Sequence, residues 1–219
     1  MKKYFDLSLY LVTDRELANG RELEWIVSEA VKGGVTMVQL REKECSTEEF
    51  IAIAKRVKSL LLPLGIPLII NDRLDVTIAI DADGIHIGQS DLEYQTVRKI
   101  LGKEKIIGLS VESMDDIIAA NQLDVDYIGI SPIFATETKK DTKTPFGLDG
   151  LREAVRKSIH PTVAIGGINR GNIDEISKTG VCGAAVVSSI ISAYSPCNAA
   201  RELKTIIETN SHTHGHWFG

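Results

Sequence analysis

Short apolar runs alternate along the chain with longer segments in which apolar residues recur at helical spacing. The apolar runs cover residues 9–13, 37–40, 67–70, 84–87, 106–109, 127–130, 163–165 and 184–187, each of strand length. Between and after them, 23–32, 47–62, 74–80, 92–101, 114–121, 148–157, 172–179 and 198–208 read as amphipathic helices. Their starts carry capping chemistry. Ser46 stands three residues before Glu49 in a capping box, and Ser195 with Pro196 opens the last helix with a hydroxyl and a first-turn proline. Regular alternation of strand and helix implies parallel strands, because a parallel pair needs a crossover connection. Eight such pairs in about 200 residues predict an α/β fold of the (β/α)8 TIM barrel type. An open doubly wound sheet is the structural rival, since periodicity does not report closure.

Composition limits the partners. The chain has 219 residues, 43% hydrophobic and 25% charged, enough for one sizeable core. No linker-like stretch divides it. The expected organisation is a lead-in over 1–8, one catalytic barrel over 9–208 and a flexible tail over 209–219. His212, His214 and His216 fall in that tail and read as part of a disordered terminus. Net charge is −5 without long blocks of one sign, which argues against nucleic acid. Asp6 and Asp14 interrupt the N-terminal stretch before any apolar run reaches the length of a signal peptide or membrane span. A cytoplasmic protein with no membrane partner is expected. Cys45, Cys182 and Cys197 are odd in number and widely spaced, as free thiols in a reducing compartment would be.

In such a barrel the chemistry gathers after the carboxyl ends of the strands. After the second strand, Gln39 and Arg41 share one side and Lys43 follows, a set suited to an anionic, nitrogen-containing substrate. Alone, the segment reads more simply as a charged rim in which Glu42 and Glu44 neutralise Arg41 and Lys43. After the third strand come Asn71 and Asp72, and after the fourth come Gln89, Ser90 and Asp91. Two aspartates at neighbouring strand ends can serve one Mg2+, which takes one or two carboxylates with phosphate oxygens and water. Either one could instead be a helix cap. The polar segment 131–143 after the sixth strand is long enough for a lid, although its second half reads as a solvated loop. Gly166 and Gly167 after the seventh strand, with Ser188 and Ser189 after the eighth, suit a phosphate. Two anion sites on one face are what an enzyme joining two phosphorylated molecules needs.

Taken together, YLVTD (10–14), VQLREK (38–43), IND (70–72), DGIHIGQSD (83–91), GLS (108–110), DYIGISPIFATETKKD (126–141), AIGGI (164–168) and VVSSI (186–190) resemble the thiamine-phosphate synthases in order and spacing, over essentially residues 9–208. The resemblance implies small-molecule substrates: a hydroxymethylpyrimidine diphosphate and a thiazole phosphate, joined with release of pyrophosphate. It implies that Gln39 binds the aminopyrimidine with Ser110 close by, and that Arg41, Lys43, Asn71 and Lys139 hold the diphosphate. Asp72 and Asp91 would bind Mg2+. Thr136, Thr138, Gly167, Ser188 and Ser189 would receive the thiazole phosphate. Arg41, Lys43, Lys139 and Ser110 would be the catalytic set of a dissociative substitution that needs charge stabilisation more than a general base. His86 reads as structural. Two positions depart from the family's usual residues: Ser131 stands where glycine is commoner, and Ala135 where proline is.

Two other functions fit the same barrel. One is a thiazole tautomerase, which lacks the aspartate pair and carries a histidine after the sixth strand; this chain has both aspartates and Pro132 there. The other is a non-catalytic thiazole phosphate binder. The sequence leaves a homo-oligomer open.

Overall fold

A computed structural model describes residues 4–89, 91–136 and 144–211. Eight parallel strands close into a barrel in sequence order: β1 (Leu9–Val12), β2 (Met37–Leu40), β3 (Leu68–Asn71), β4 (Gly84–Ile87), β5 (Ile106–Val111), β6 (Tyr127–Ile130), β7 (Thr162–Ile165) and β8 (Gly183–Val186). The ring closes through pairing of Leu9, Tyr10 and Leu11 with Ala184, Ala185 and Val186. The expected (β/α)8 barrel is therefore the architecture, and the open sheet is excluded.

The connecting helices are α1 (Leu23–Lys32), α2 (Thr47–Leu61), α3 (Leu74–Ala79), α4 (Tyr94–Leu101), α5 (Met114–Ala120), α6 (Gly147–Lys157) and α7 (Ile173–Ser177), followed by the short α8 (Ser188–Ile191) and the long α9 (Pro196–Ser211). The Ser46 hydroxyl accepts from the Glu49 N–H at 3.1 Å, as the capping box predicts. The Glu49 carboxylate itself turns to Arg15, at 2.6 Å. Ser195 accepts from the Asn198 N–H at 3.3 Å. The one-turn α8 is too short to show a helical period in the sequence.

Strand alternation sorts the apolar side chains into two cores. Leu9, Leu11, Val38, Leu40, Leu68, Ile70 and their equivalents face outward against the helices. Tyr10, Val12, Met37, Ile69, Ile106, Tyr127, Val163 and Ala185 fill the barrel interior. With both faces covered, the strands read as near-continuous apolar runs. Leu7 belongs to this inner cluster and Phe5 packs against it, so the segment ahead of β1 plugs the lower end of the barrel. At the other terminus α9 continues through Ser211, into the stretch expected to be tail.

Two large aromatic rings share the interior with His86. Tyr10 and Tyr127 meet edge to face, with centroids 5.9 Å apart, and Tyr127 lies 5.5 Å from the His86 ring. Space for them comes from Gly108, where a Cβ would fall on the Tyr127 ring and against His86 Nδ1. Gly108→Ala should destabilise the fold by about 1–3 kcal/mol through overpacking. The matching fall in Tm is roughly 2–4 °C per kcal/mol, readable by thermal unfolding. An unchanged Tm would mean that Tyr127 has room to step aside.

Candidate active site

A cavity of about 920 Å³ opens at the carboxyl ends of the strands. Its wall takes at least one residue from every strand or the segment following it, including Tyr10, Gln39, Asn71, His86, Ser110, Tyr127, Ile165 and Ala185. Arg41, Asp72, Asp91, Thr136, Gly167, Ser188 and Ser189 also line it, so these sequence-selected residues share one space. Lys43 does not line it and is exposed on the following loop. Ser90, Thr138, Lys139 and the tail histidines His212, His214 and His216 lie outside the described residues.

At one end of the cavity two carboxylates meet. Asp91 lies within hydrogen-bonding reach of Asp72, and burial together with that neighbouring negative charge raises the Asp72 pKa from 3.8 to about 7. Asn71 Nδ2 donates to Asp72 Oδ2 at 2.5 Å, and the Arg41 charge acts in the opposite direction to Asp91. Asp72 adopts φ 59°, a left-handed conformation that costs a non-glycine residue energy. Neither aspartate caps a helix. Arg73 and Glu93 occupy the cap positions of α3 and α4, without side-chain cap bonds. Asp91 Oδ2 instead accepts from the Gly88 N–H at 2.6 Å, tightening the turn after β4.

Nor does the rim after β2 neutralise itself. Glu42 pairs with Arg15 at 2.9 Å, away from Arg41, and burial raises its pKa. Arg41 leans on the buried Asp14 at 3.3 Å, while its N–H donates to the Thr13 hydroxyl at 3.0 Å. Asp14 also accepts from the Glu16 N–H at 3.1 Å. It thus holds both the turn after β1 and the guanidinium. In the sequence Asp14 ends YLVTD and interrupts the N-terminal stretch, and nothing there pairs it with Arg41, 27 residues on.

The opposite end is backbone. Gly166 and Gly167 have φ 101° and 68°. A Cβ on Gly166 would meet Pro132 at 2.8 Å, and one on Gly167 would meet the Ala135 carbonyl and Phe134 at 2.8 Å. Both conformation and crowding therefore require glycine. Ile133 and Phe134 donate their N–H groups to the Ile165 and Gly166 carbonyls at 3.0 and 3.1 Å, which draws Thr136 beside the glycine turn. The Ser189 hydroxyl donates to the Ile168 carbonyl at 2.6 Å and joins this turn to α8. The first N–H groups of a helix have no intrahelical acceptor, so the start of α8 offers donors near the glycine peptides. Arg21 donates to the Ala193 carbonyl at 2.6 Å and to the Ile191 carbonyl, holding the far end of α8.

On the side of β7, β8 and β1 the cavity is lined by Val12, Leu17, Ile165, Ile168, Ala185 and Val187, an apolar wall suited to flat rings. The floor is polar: Gln39, Tyr10, Tyr127, His86 and Ser110 are hydrogen-bonded in series. Sequence reasoning selected Gln39 and Ser110 but not the three residues between them, although Tyr10 and Tyr127 fall on inward positions of β1 and β6.

A family profile described as thiamine monophosphate synthase matches residues 9–190. A thiamine-phosphate synthase of Albidiferax ferrireducens is 52% identical over 202 residues, covering 92% of this chain and 92% of the relative. Another, of Syntrophomonas wolfei, is 49% identical over 205 residues, covering 94% and 98% respectively. Among solved structures, a thiamine phosphate pyrophosphorylase from Pyrococcus furiosus superposes with a TM-score of 0.85 at 37% identity, covering 93% of this chain and 96% of that one. A 3-hexulose-6-phosphate synthase, 18% identical with a TM-score of 0.66, shares the fold alone. Because the profile and the relatives span the barrel and every strand end that builds the cavity, the chain belongs to the thiamine monophosphate synthase family.

Proposed function

We propose that this transferase joins hydroxymethylpyrimidine diphosphate to thiazole phosphate and releases pyrophosphate, by a dissociative substitution assisted by Mg2+. The observation that carries the reading is the cavity's polarity. A carboxylate pair beside Arg41 stands at one end, glycine peptides and a helix start stand at the other, and apolar residues on and after β7, β8 and β1 line the same cavity.

The carboxylate pair fits a divalent cation. Among the described residues no group of three or more His, Cys, Asp or Glu side chains could hold a metal. A site that takes one or two carboxylates and completes its shell with phosphate and water needs only two. Asp72 and Asp91 supply two, and burial beside the Asp91 carboxylate raises the Asp72 pKa, a cost that a bound cation would relieve. Asp72 and Asp91 would hold Mg2+, which when bound neutralises charge on a departing diphosphate.

The remaining chemistry falls to the chain's own groups. The bond between the pyrimidine methylene carbon and the diphosphate oxygen breaks, and its electron pair leaves with the diphosphate. Arg41, kept in place by Asp14 and Thr13, faces that developing charge. The resemblance adds Lys43 and Lys139 to the same task, and Asn71 orients the Asp72 carboxylate. The cation left on the aminopyrimidine is delocalised over a ring held by Gln39 and Ser110. The thiazole nitrogen then donates its lone pair to the methylene carbon. Thr136, Gly167, Ser188 and Ser189 would grip the thiazole phosphate and aim that nitrogen. No proton need be removed for bond formation, so a general base is not required at this step.

Purified protein given both substrates and Mg2+ should release one pyrophosphate per thiamine phosphate formed, with EDTA stopping turnover and added Mg2+ restoring it. Chelator-resistant isomerisation of a thiazole phosphate alone would support the tautomerase instead, and binding without turnover would support the non-catalytic binder.

Asp72→Asn should lower turnover on the order of 10²-fold or more, by removing charge from the leaving-group site. The same substitution should stabilise the metal-free protein. A carboxylate whose folded pKa is raised binds more protons folded than unfolded, so it opposes folding increasingly as pH climbs from 3.8 to about 7. Asparagine carries no charge and tolerates the left-handed backbone better. The Tm difference between variant and parent should therefore be small near pH 4 and grow in favour of the variant by pH 8. A parental rate, or a variant less stable at pH 8, would contradict this account of Asp72.

A further inference from the structure

We infer that Tyr10, Tyr127 and His86 form a one-way hydrogen-bond chain that presents Gln39 to the cavity as an acceptor and Ser110 as a donor, selecting a ring edge with an amine beside an unprotonated ring nitrogen. The inference rests on the pyrimidine reading above and adds three positioning residues and a direction to it.

The chain begins at Gln39, whose Nε2 donates to the Tyr10 hydroxyl at 2.9 Å. The Tyr10 and Tyr127 hydroxyls are 2.8 Å apart, Tyr127 lies 3.0 Å from His86 Nδ1, and His86 Nε2 lies 2.9 Å from the Ser110 hydroxyl. Each phenol has one proton to give. Both are buried, which pushes their pKa values up and keeps the protons on. Tyr10 already accepts from Gln39, so its own proton goes to Tyr127; the reverse would leave a buried hydroxyl proton without an acceptor. Tyr127 must then donate to His86 Nδ1. A neutral imidazole accepting at Nδ1 carries its proton on Nε2, which donates to Ser110 Oγ. The Ser110 proton is thereby left for the cavity.

At the other end the Gln39 amide is oriented by the same logic. Its Nε2 is engaged below, and its carbonyl oxygen belongs to a residue on the cavity wall. An aminopyrimidine edge offers an N–H to that oxygen and a ring nitrogen to the Ser110 hydroxyl. A 4-oxo pyrimidine offers the opposite pattern, a carbonyl beside a ring N–H, and would confront acceptor with acceptor and donor with donor. Buried polar groups left unpaired in this way reject an analogue far more strongly than a misfitting apolar wall does. Gly108 belongs to the device, because any side chain there would displace Tyr127 and His86 from each other.

The test has two arms. Long-range 1H–15N correlation spectra of the ligand-free protein, with His86 assigned by its loss in His86→Phe, should show the Nε2–H tautomer; the Nδ1–H tautomer, or an even mixture, overturns the inference. This arm needs no turnover, so a protein that failed to make thiamine phosphate would remove the functional reading while the spectrum still judged the chain. In the second arm, Tyr127→Phe and Tyr10→Phe are assayed with the aminopyrimidine diphosphate and its 4-oxo analogue. Either variant should raise KM for the pyrimidine diphosphate about tenfold and weaken discrimination against the oxo analogue by at least about tenfold, with KM for thiazole phosphate unchanged. If one variant does not fold, the other carries the measurement. Equal losses for both substrates, or intact discrimination, would reduce these residues to packing and overturn the inference.

Discussion

Closure of the strand ring is the constraint on which the rest depends. A closed barrel of eight strands encloses a space that side chains must fill, and strand alternation assigns that task to every second residue. The lower interior is filled by Met37, Ile69, Ile106 and Val163, with Leu7 entering from below. The upper interior is filled by Gln39, Tyr10, Tyr127, His86 and Ser110, joined by hydrogen bonds in series. One geometric rule therefore builds a dry base and a polar floor. It also brings Gln39, His86 and Ser110 from β2, β4 and β5 to a single cavity without any of them being neighbours in the chain.

Above that floor the cavity stores unfavourable electrostatics. Two carboxylates in mutual contact, one of them in a left-handed backbone conformation, do not favour the empty fold. Such an arrangement persists because the surrounding structure over-determines it: Asn71 pins Asp72, and the Gly88 N–H pins Asp91. At the other end Gly166 and Gly167 take conformations that other residues avoid, and they lie against the 132–135 segment without space for side chains. The cavity thus has ends of different electrostatic character, with an apolar wall on its β7–β8–β1 side. The (β/α)8 fold is shared with chains such as the 3-hexulose-6-phosphate synthase at 18% identity. It supplies the platform, and the strand ends supply the specificity.

Local competition shaped how each charged residue reads. Glu42 stands next to Arg41 in sequence yet pairs with Arg15, and Arg41 turns to Asp14. Ser46 caps α2 as its spacing predicts, but Glu49 leaves the reciprocal half of the box for Arg15. In both cases a long side chain pairs with a residue on another element, a choice that spacing along one element does not encode.

The sequence by itself determined the eight-fold alternation, the helix starts at Ser46 and Ser195, and the grouping of Gln39, Arg41, Asn71, Asp72, Asp91, Gly167, Ser188 and Ser189 at strand ends. These are consequences of period and of local chemistry, which act over a few residues. Only the tertiary structure decided that the ring closes, that Lys43 stands off the cavity, and that α8 forms after β8 beside the glycine turn. Only it decided that Tyr10, Tyr127 and His86 connect Gln39 to Ser110. Closure and hydrogen-bond direction depend on distances between strands far apart in the chain, and alternation within one strand says which way a side chain points but not what it meets.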